Sequence, residues 1–326
     1  MILNASVFTD HSGKSFKQPV VRLNKIRDSL KNLIRKIRGK NTLPEKGNYK
    51  IISLGLGQQS TALYLMSSTG FIERADYAIF SDPGSESKET YEHLKWLKKW
   101  SKQNNGIPII HTGKRSLYKD LIHGTGKSGN RFASIPAFTK DGNGNIGILK
   151  RQCTEEYKTQ EIFRAIRKLY GLKARKRTPD TEVWLGISLE EMERMKYPRT
   201  NWMTFVYPFL NVKSKKGGHE QVPYTTIFSR ADCIEWLKAN DFPVPPKSAC
   251  TFCPFQSDQR WRELKLHHPG EWKKVVKLDE LIRNSKYKGV KQPIYLHRSA
   301  QPLKDVDFQE NQLDLFISEC SGVCGT

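Results

Sequence analysis

The chain has 326 residues, with 55 lysines and arginines against 33 acidic residues, a formal charge of +22, and a hydrophobic content of 37%. These values support a globular core in one large α/β domain with additions, or in two domains. No apolar run approaches the ~20 residues of a membrane span, and residues 1–17 lack the apolar stretch of a secretory signal. A cytoplasmic protein without a membrane partner is therefore expected. The basic excess favours a polyanion such as DNA or RNA. Six cysteines in such a compartment point to metal, cluster or catalytic use rather than to structural disulfides.

Residues 1–46 form a basic extension. Leu23, Ile26, Leu30, Leu33, Ile34 and Ile37 recur at helical spacing, and lysines and arginines fill the opposite face. The spacing predicts an amphipathic helix that would pack one side on the body and offer the other to solvent or to a phosphate backbone. A linker follows it.

From Tyr49 strands and helices alternate. Ile51, Ile52 and Leu54 read as a buried parallel strand, and Gly55 and Gly57 as a tight turn. Ser60 and Thr61 read as the start of a helix reaching about Ser68. A strand, a glycine turn and a helix N-terminus make a phosphate cradle: the backbone can approach closely and the helix dipole favours negative charge. Further strands are predicted over 77–80, 107–111 and 183–187, and helices over 87–101, 154–170 and 230–239, the last capped by Ser229. The alternation implies an α/β fold with a doubly wound, mostly parallel sheet over 47–242, whose ligands sit at the carboxyl ends of the strands. After the proline-rich stretch that begins at Pro243, residues 243–326 read as a smaller, α-rich, cysteine-bearing region with helices near 258–264 and 272–283.

Several residues stand out chemically. Asp82 and Glu86 follow the second strand, where a carboxylate can hold a metal ion or ribose hydroxyls. The segment from Gly124 to Ser128 lacks the spacing of a Walker loop, and reads as a loop whose Lys127 and Arg131 can touch phosphate. Cys250 and Cys253 form a CxxC pair, and Cys153 sits between Arg151 and a helix start, where a thiol becomes a better ligand or nucleophile. These three thiols suit an iron–sulfur cluster, or zinc with a fourth ligand from elsewhere. Cys233 falls inside a helix and reads as core. Cys320 and Cys324 end the chain in a glycine-containing tail suited to a swinging redox or sulfur-carrying group. The basic sets Lys173, Arg175, Lys176, Arg177 and Lys213, Lys215, Lys216 read as solvent-facing loops, and His267-His268 as structural.

In this order the motifs resemble a family. Ser53-x-Gly-x-Gly-x-x-Ser60, the segment from Asp82 through Glu86 to Thr90-Tyr91, Arg151-Gln-Cys-Thr, Trp184-Leu-Gly-Ile-Ser188, the Cys250–Cys253 pair and a terminal Glu-Cys are similar to the adenine nucleotide alpha-hydrolase (PP-loop) superfamily, in its phosphoadenosine phosphosulfate (PAPS) reductase-like branch. The resemblance covers roughly residues 48–326. It implies a HUP-type fold in which Ser53, Gly55, Gly57, Gln59, Ser60, Thr61 and Gly186 bind an adenine nucleotide, with magnesium as a further cofactor and Asp82 beside the nucleotide as a catalytic residue. It further implies that Cys153, Cys250 and Cys253 hold a 4Fe-4S cluster, and that Cys320 is the reactive tail cysteine.

Three departures separate the chain from that pattern. Gln59 stands where ATP-splitting members carry an acid that helps hold magnesium. Gln152-Cys153 replaces an adjacent Cys-Cys pair, and Ser321-Gly-Val-Cys324 replaces the usual end of the tail. The functions implied are ATP-dependent adenylylation and sulfur transfer onto nucleic acid, as in DNA phosphorothioation or tRNA thiolation, with a sulfur donor such as a cysteine desulfurase as partner. The alternatives are a sulfonucleotide reductase acting on PAPS or adenylylsulfate through Cys320, with Cys324 resolving, and a non-catalytic nucleotide- or nucleic-acid-binding component of a defence or mobile-element complex. Self-association is left open.

Overall fold

The computed structural model describes residues 47–308 except 127, 285, 286 and 288. The basic helix predicted within 1–46, Lys127, and the tail with Cys320 and Cys324 lie outside the described residues. The chain is α/β, built on a seven-stranded sheet in the order β3-β2-β1-β6-β7-β8-β9. β1 (Lys50–Ser53), β2 (Tyr77–Ser81), β3 (Ile109–Thr112), β6 (Thr181–Trp184) and β7 (Met203–Tyr207) run parallel. β8 (Val212–Lys215) and β9 (Gly218–Gln221) extend the sheet antiparallel. A second, antiparallel sheet holds β4 (Phe138–Lys140), β5 (Ile146–Ile148) and β10 (Ile294–Tyr295) in the order β10-β4-β5.

The strands are apolar on both sides because helices cover both. Ile52, Ala78, Phe80, Trp184 and Val206 point to the face covered by α1 (Gln58–Thr69), α2 (Lys88–Gln103) and α5 (Arg230–Ala239). Ile51, Ile79, Val183 and Phe205, their neighbours in the pleat, point to the face covered by α4 (Gln160–Leu169). α1 is buried along most of its length, from Thr61 to Ser68, and ends at Gly70 with φ +84°, a left-handed stop suited to glycine. Ser87 caps α2 by accepting from Thr90 N, and Ser229 and Asp232 form a complete capping box on α5. Cys233 is fully buried in this core, and burial pushes its thiol pKa up.

A third core joins residues from both sides of position 243. α3 (Leu117–His123), Phe132, Ile135 and Tyr157 pack with Phe252, α6 (Asp258–His267), α7 (Pro269–Arg283) and Leu303. Asp279 organises its far end by accepting from Leu296 N and Leu303 N, both at 3.0 Å. Among the described residues no helix is long and apolar enough to cross a membrane.

Several elements depart from the sequence expectation. The glycine-rich stretch after Gly124 contains the β4–β5 hairpin. The helix predicted from Thr154 opens as a π-helical turn, Glu155–Thr159, before α4. The strand predicted over 183–187 ends at Trp184 and releases Leu185–Ile187 as a loop. Lys213 lies in β8, where its ammonium meets Glu182 at 2.6 Å, rather than in a solvent loop.

His93 joins α2 to α1: its Nε2 lies 3.1 Å from Thr61 Oγ1, its ring stacks on Trp96, and burial lowers its pKa to about 4. Between an ordinary value of 6.5 and about 4 the unfolded chain therefore binds a proton that the folded chain refuses. Stability falls as the pH drops through that window, by about 2 kcal/mol between pH 7 and pH 5 from this group alone. Urea unfolding at the two pH values should show His93→Gln losing that share of the acid sensitivity, whereas an unchanged sensitivity contradicts the assignment.

Candidate functional site

β1 lies where the strand order reverses, with β2 and β3 on one side and β6 and β7 on the other. The loops leaving β1 and β6 border a cavity there, the usual ligand position in such sheets. The β1 loop runs Leu54-Gly55-Leu56-Gly57. Leu56 holds a left-handed φ of +63° with its side chain fully buried. That backbone costs about 1–2 kcal/mol, which burial of the leucine offsets by a similar ~2 kcal/mol. Gly57 then serves as the N-cap of α1 with no side-chain cap, and the first turn carries no acid. The positive end of the helix dipole thus faces the crevice without a local counter-charge.

The β6 loop closes against this turn at Gly186. A Cβ there would stand 3.0 Å from Ser60 N, Ser60 Cα and Gln59 C. Any larger residue would require the α1 turn to give way by a few tenths of an ångström.

Between them lies a cavity of ≈ 350 Å³. Ser53, Gly55, Gly57, Gln59, Ser60 and Gly186, all singled out in the sequence, line it. Thr61 does not line it; its hydroxyl is turned inward to His93. Gln59 Nε2 donates to Ser188 Oγ at 3.2 Å, which ties the β1 and β6 loops together.

The walls add residues that no motif announces. Lys158, Arg194, Arg230, Lys247 and Arg260 face the cavity, against two carboxylates, Glu191 and Glu263. Glu191 meets Arg194 at 2.6 Å and Arg230 at 2.7 Å, and Glu263 meets Arg260 at 3.3 Å. Lys158 is in turn paired with the buried Glu86, so five cations stand against three carboxylates and the surround keeps a net positive charge. These cations come from five separate segments, so no sequence spacing could have grouped them.

Asp82, expected beside the nucleotide, is placed elsewhere. It accepts from Tyr91 OH at 2.8 Å and Gly84 N at 2.7 Å, and its other oxygen lies 3.1 Å from His111 Nε2. It is not among the residues lining the cavity. Burial, followed by the bond to Asp82, raises the Tyr91 pKa. Arg131, expected as a phosphate contact, is held bidentate by Glu156.

Glu86 does not line the cavity either; it is buried behind the cavity wall, against two residues that do line it, Lys158 and Ser248. Its carboxylate, fully buried, meets Lys158 Nζ at 3.0 Å and accepts from Ser248 Oγ at 3.2 Å. Its backbone pairs with Cys250 in an isolated antiparallel bridge. The loop carrying the CxxC pair is thereby fixed to the exit of β2.

Cys153, Cys250 and Cys253 line one small apolar pocket together with Pro83, Leu117 and Phe252. Residues about a hundred positions apart are thus gathered at one place. The thiols have the soft-donor chemistry of a zinc or cluster site. The pocket measures ≈ 20 Å³, room for about one water, and among the described residues no three His, Cys, Asp or Glu side chains stand close enough to hold a metal ion. The donor types fit a metal or cluster; the arrangement as it stands does not. Lys158 and Cys253 line both this pocket and the larger cavity, so the two spaces share a wall.

No protein-family model matches the chain, and no curated protein matches it.

The shared wall depends on the Glu86–Lys158 pair. Glu86→Ala removes the carboxylate from a buried ammonium and should cost about 3–5 kcal/mol. A Glu86→Leu, Lys158→Met double variant should recover most of that loss. Urea midpoints of the three proteins check this, and a double variant as unstable as the single one would refute it.

Proposed function

We propose that the chain is an adenine-nucleotide-binding PP-loop enzyme that uses ATP to adenylylate a nucleic acid and then replaces the activated oxygen with sulfur. The observation that carries this reading is the cavity at the sheet's switch point. It is floored by the uncapped N-terminus of α1, walled by five lysine and arginine side chains, and adjoins a pocket of three cysteines. A polyphosphate is the ligand class that such a lining stabilises.

In this reading the triphosphate lies along Gly55, Gly57 and Ser60, while Lys158, Arg194, Arg230, Lys247 and Arg260 take up its charge. An oxygen of the nucleic acid attacks the α-phosphorus, the α–β anhydride bond breaks, and pyrophosphate leaves. A sulfide-level donor then displaces AMP, which carries that oxygen away. No step is routed through a cluster. The cysteine pocket supplies thiols at the cavity wall, and the chemistry of Cys320 belongs to the tail outside the described residues. Magnesium would arrive with the nucleotide, because both wall carboxylates are engaged by arginines and Gln59 contributes no charge.

Gln59 also favours a second reading, sulfonucleotide reduction. A loop whose side chain at this position is a neutral amide bonded to Ser188 binds phosphate or phosphosulfate without needing to split an anhydride.

Pyrophosphate release from ATP, with and without single-stranded DNA or tRNA, separates the readings. Nucleic-acid-stimulated release is expected. ATP binding without release, combined with thiol-dependent sulfite formation from PAPS or adenylylsulfate, would establish the reductase instead, and binding without either reaction would leave a non-catalytic component. Iron, sulfide and zinc analysis after anaerobic purification tests the cysteine pocket separately.

Gly186→Ala should weaken ATP binding by about tenfold or more, since the added methyl forces the α1 turn out of place at an overpacking cost of about 1–3 kcal/mol. Calorimetric titration with a parallel melting curve checks this. Unaltered affinity would remove the loop from the binding site.

A further inference from the structure

The thiols of the small pocket do not converge on a metal. Cys153, Cys250 and Cys253 all line it, yet among the described residues no three His, Cys, Asp or Glu side chains stand close enough to hold an ion. A structural zinc needs a closed tetrahedral set of such donors. The residues form a tight pair instead.

Cys250-Thr-Phe-Cys253 is a turn closed by Cys253 N, which donates to Cys250 O at 3.0 Å. Such a turn holds its first and last Cα atoms within about 7 Å, and a disulfide spans Cα atoms about 4.4–6.8 Å apart. Both residues are thiols in the structure and line the same pocket. The bond between them therefore needs little movement of the backbone.

The turn is held from outside. Cys250 bridges the backbone of Glu86, and Thr251 N donates to Ser85 O at 3.0 Å. Thr251 O accepts from Gln256 Nε2 at 2.8 Å, and Phe252 is buried in the third core. Cys153 arrives on a separate segment, anchored through its N–H to Ser134 O at 3.0 Å. Its place beside the pair is set by tertiary packing, whereas the turn itself sets the spacing of Cys250 and Cys253.

The two thiols also differ in access. Cys253 lines the switch-point cavity as well, while Cys250 lines the small pocket alone. Five cations line that cavity, so it concentrates anionic reagents.

We infer that Cys250 and Cys253 form a dithiol–disulfide pair that exchanges with anionic small-molecule disulfides such as oxidised glutathione. The Cys253 thiolate attacks one sulfur of the reagent, whose S–S bond breaks and releases one thiol. The Cys250 thiolate then attacks Cys253 Sγ in the mixed disulfide, releases the second thiol and closes the turn. Two electrons pass from the pair to the reagent, and the two thiol protons leave with its two halves. A nucleotide in the cavity covers Cys253 and blocks the first step; this link alone rests on the proposed function.

The test treats the full chain, reduced and then freed of reductant under nitrogen, with oxidised glutathione, in the presence and absence of ATP. Alkylation and tryptic mapping read the thiols separately, because peptide 248–260 holds Cys250 and Cys253 and peptide 152–158 holds Cys153. Peptide 248–260 should lose two hydrogens and resist alkylation, while Cys153 stays open to it. Cys153→Ser should close at an unchanged rate, and Cys250→Ser should stop at the glutathione adduct on Cys253. ATP at about ten times its dissociation constant should slow closure about tenfold. Melting curves check that the variants are folded.

Oxidation that joins Cys153 to either partner overturns the pair, as does a folded wild type whose peptide 248–260 forms no disulfide. Zinc or iron held stoichiometrically, lost in Cys153→Ser and needing removal before any thiol reacts, also overturns it and returns the three cysteines to a metal centre. Closure unaffected by bound ATP overturns Cys253 as the point of entry. A chain that closes the disulfide but binds no ATP refutes the proposed function and leaves the pair standing.

Discussion

The buried ion pair between Glu86 and Lys158 is the contact on which the site depends. Glu86 leaves the end of β2, Lys158 comes from the π-helical turn before α4, and Ser248 and Cys250 bring in the loop after residue 243. Three segments distant in sequence therefore meet at one carboxylate. Two charges removed from water are tolerated only when each is well satisfied. Here the carboxylate accepts from an ammonium and a hydroxyl, and the surrounding backbone is pinned by Thr251 N to Ser85 O at 3.0 Å. The pair adds little net stability in the sense of a hydrophobic core. Its effect is on arrangement: it holds the wall shared by the switch-point cavity and the cysteine pocket.

The glycine loop solves a related geometric problem. A helix that is to offer its N-terminus to a ligand must approach the sheet end-on, and the neighbouring loop must leave room. Leu56 accepts a left-handed backbone because its side chain is anchored in the core, and Gly186 removes a Cβ that would press on the α1 turn at Gln59 and Ser60. The open helix end attracts negative charge, while the arginines from α5, α6 and the 3₁₀ turn Leu189–Arg194 arrive around it as side walls. Backbone and side-chain charges thus converge on one volume, although they originate on separate elements.

The order of strands and helices was legible because parallel strands covered on both faces are short apolar runs, and these alternate with helical periodicity from Tyr49 onward. The turn and the helix start were legible because glycines at 55 and 57 and hydroxyl residues at 60 and 61 are local in sequence. Asp82 and Glu86 show where that legibility stops. Both follow the same strand, and nothing in their spacing says which one is buried against the cavity wall. The answer depends on Tyr91 and His111 claiming Asp82, and on Lys158 claiming Glu86. The β4–β5 hairpin was not visible because its three-residue strands are too short to show a period and sit among glycines. Lys213 was mistaken for a loop residue because its partner, Glu182, lies on a different strand.

By itself the sequence determined an α/β alternation, a glycine-bearing helix start and a set of cysteines, since each is a pattern of neighbours whose cause is local backbone geometry. Tertiary structure alone decided that six of the expected loop residues line one cavity, that Thr61 faces the core, that five cations line that cavity, and that Cys153 lines the same small apolar pocket as Cys250 and Cys253. The physical reason is the same in each case. Charge neutralisation, close packing and thiol proximity act through space over a few ångströms, and the groups involved are brought within that range only by the sheet order and the long connections that cross it.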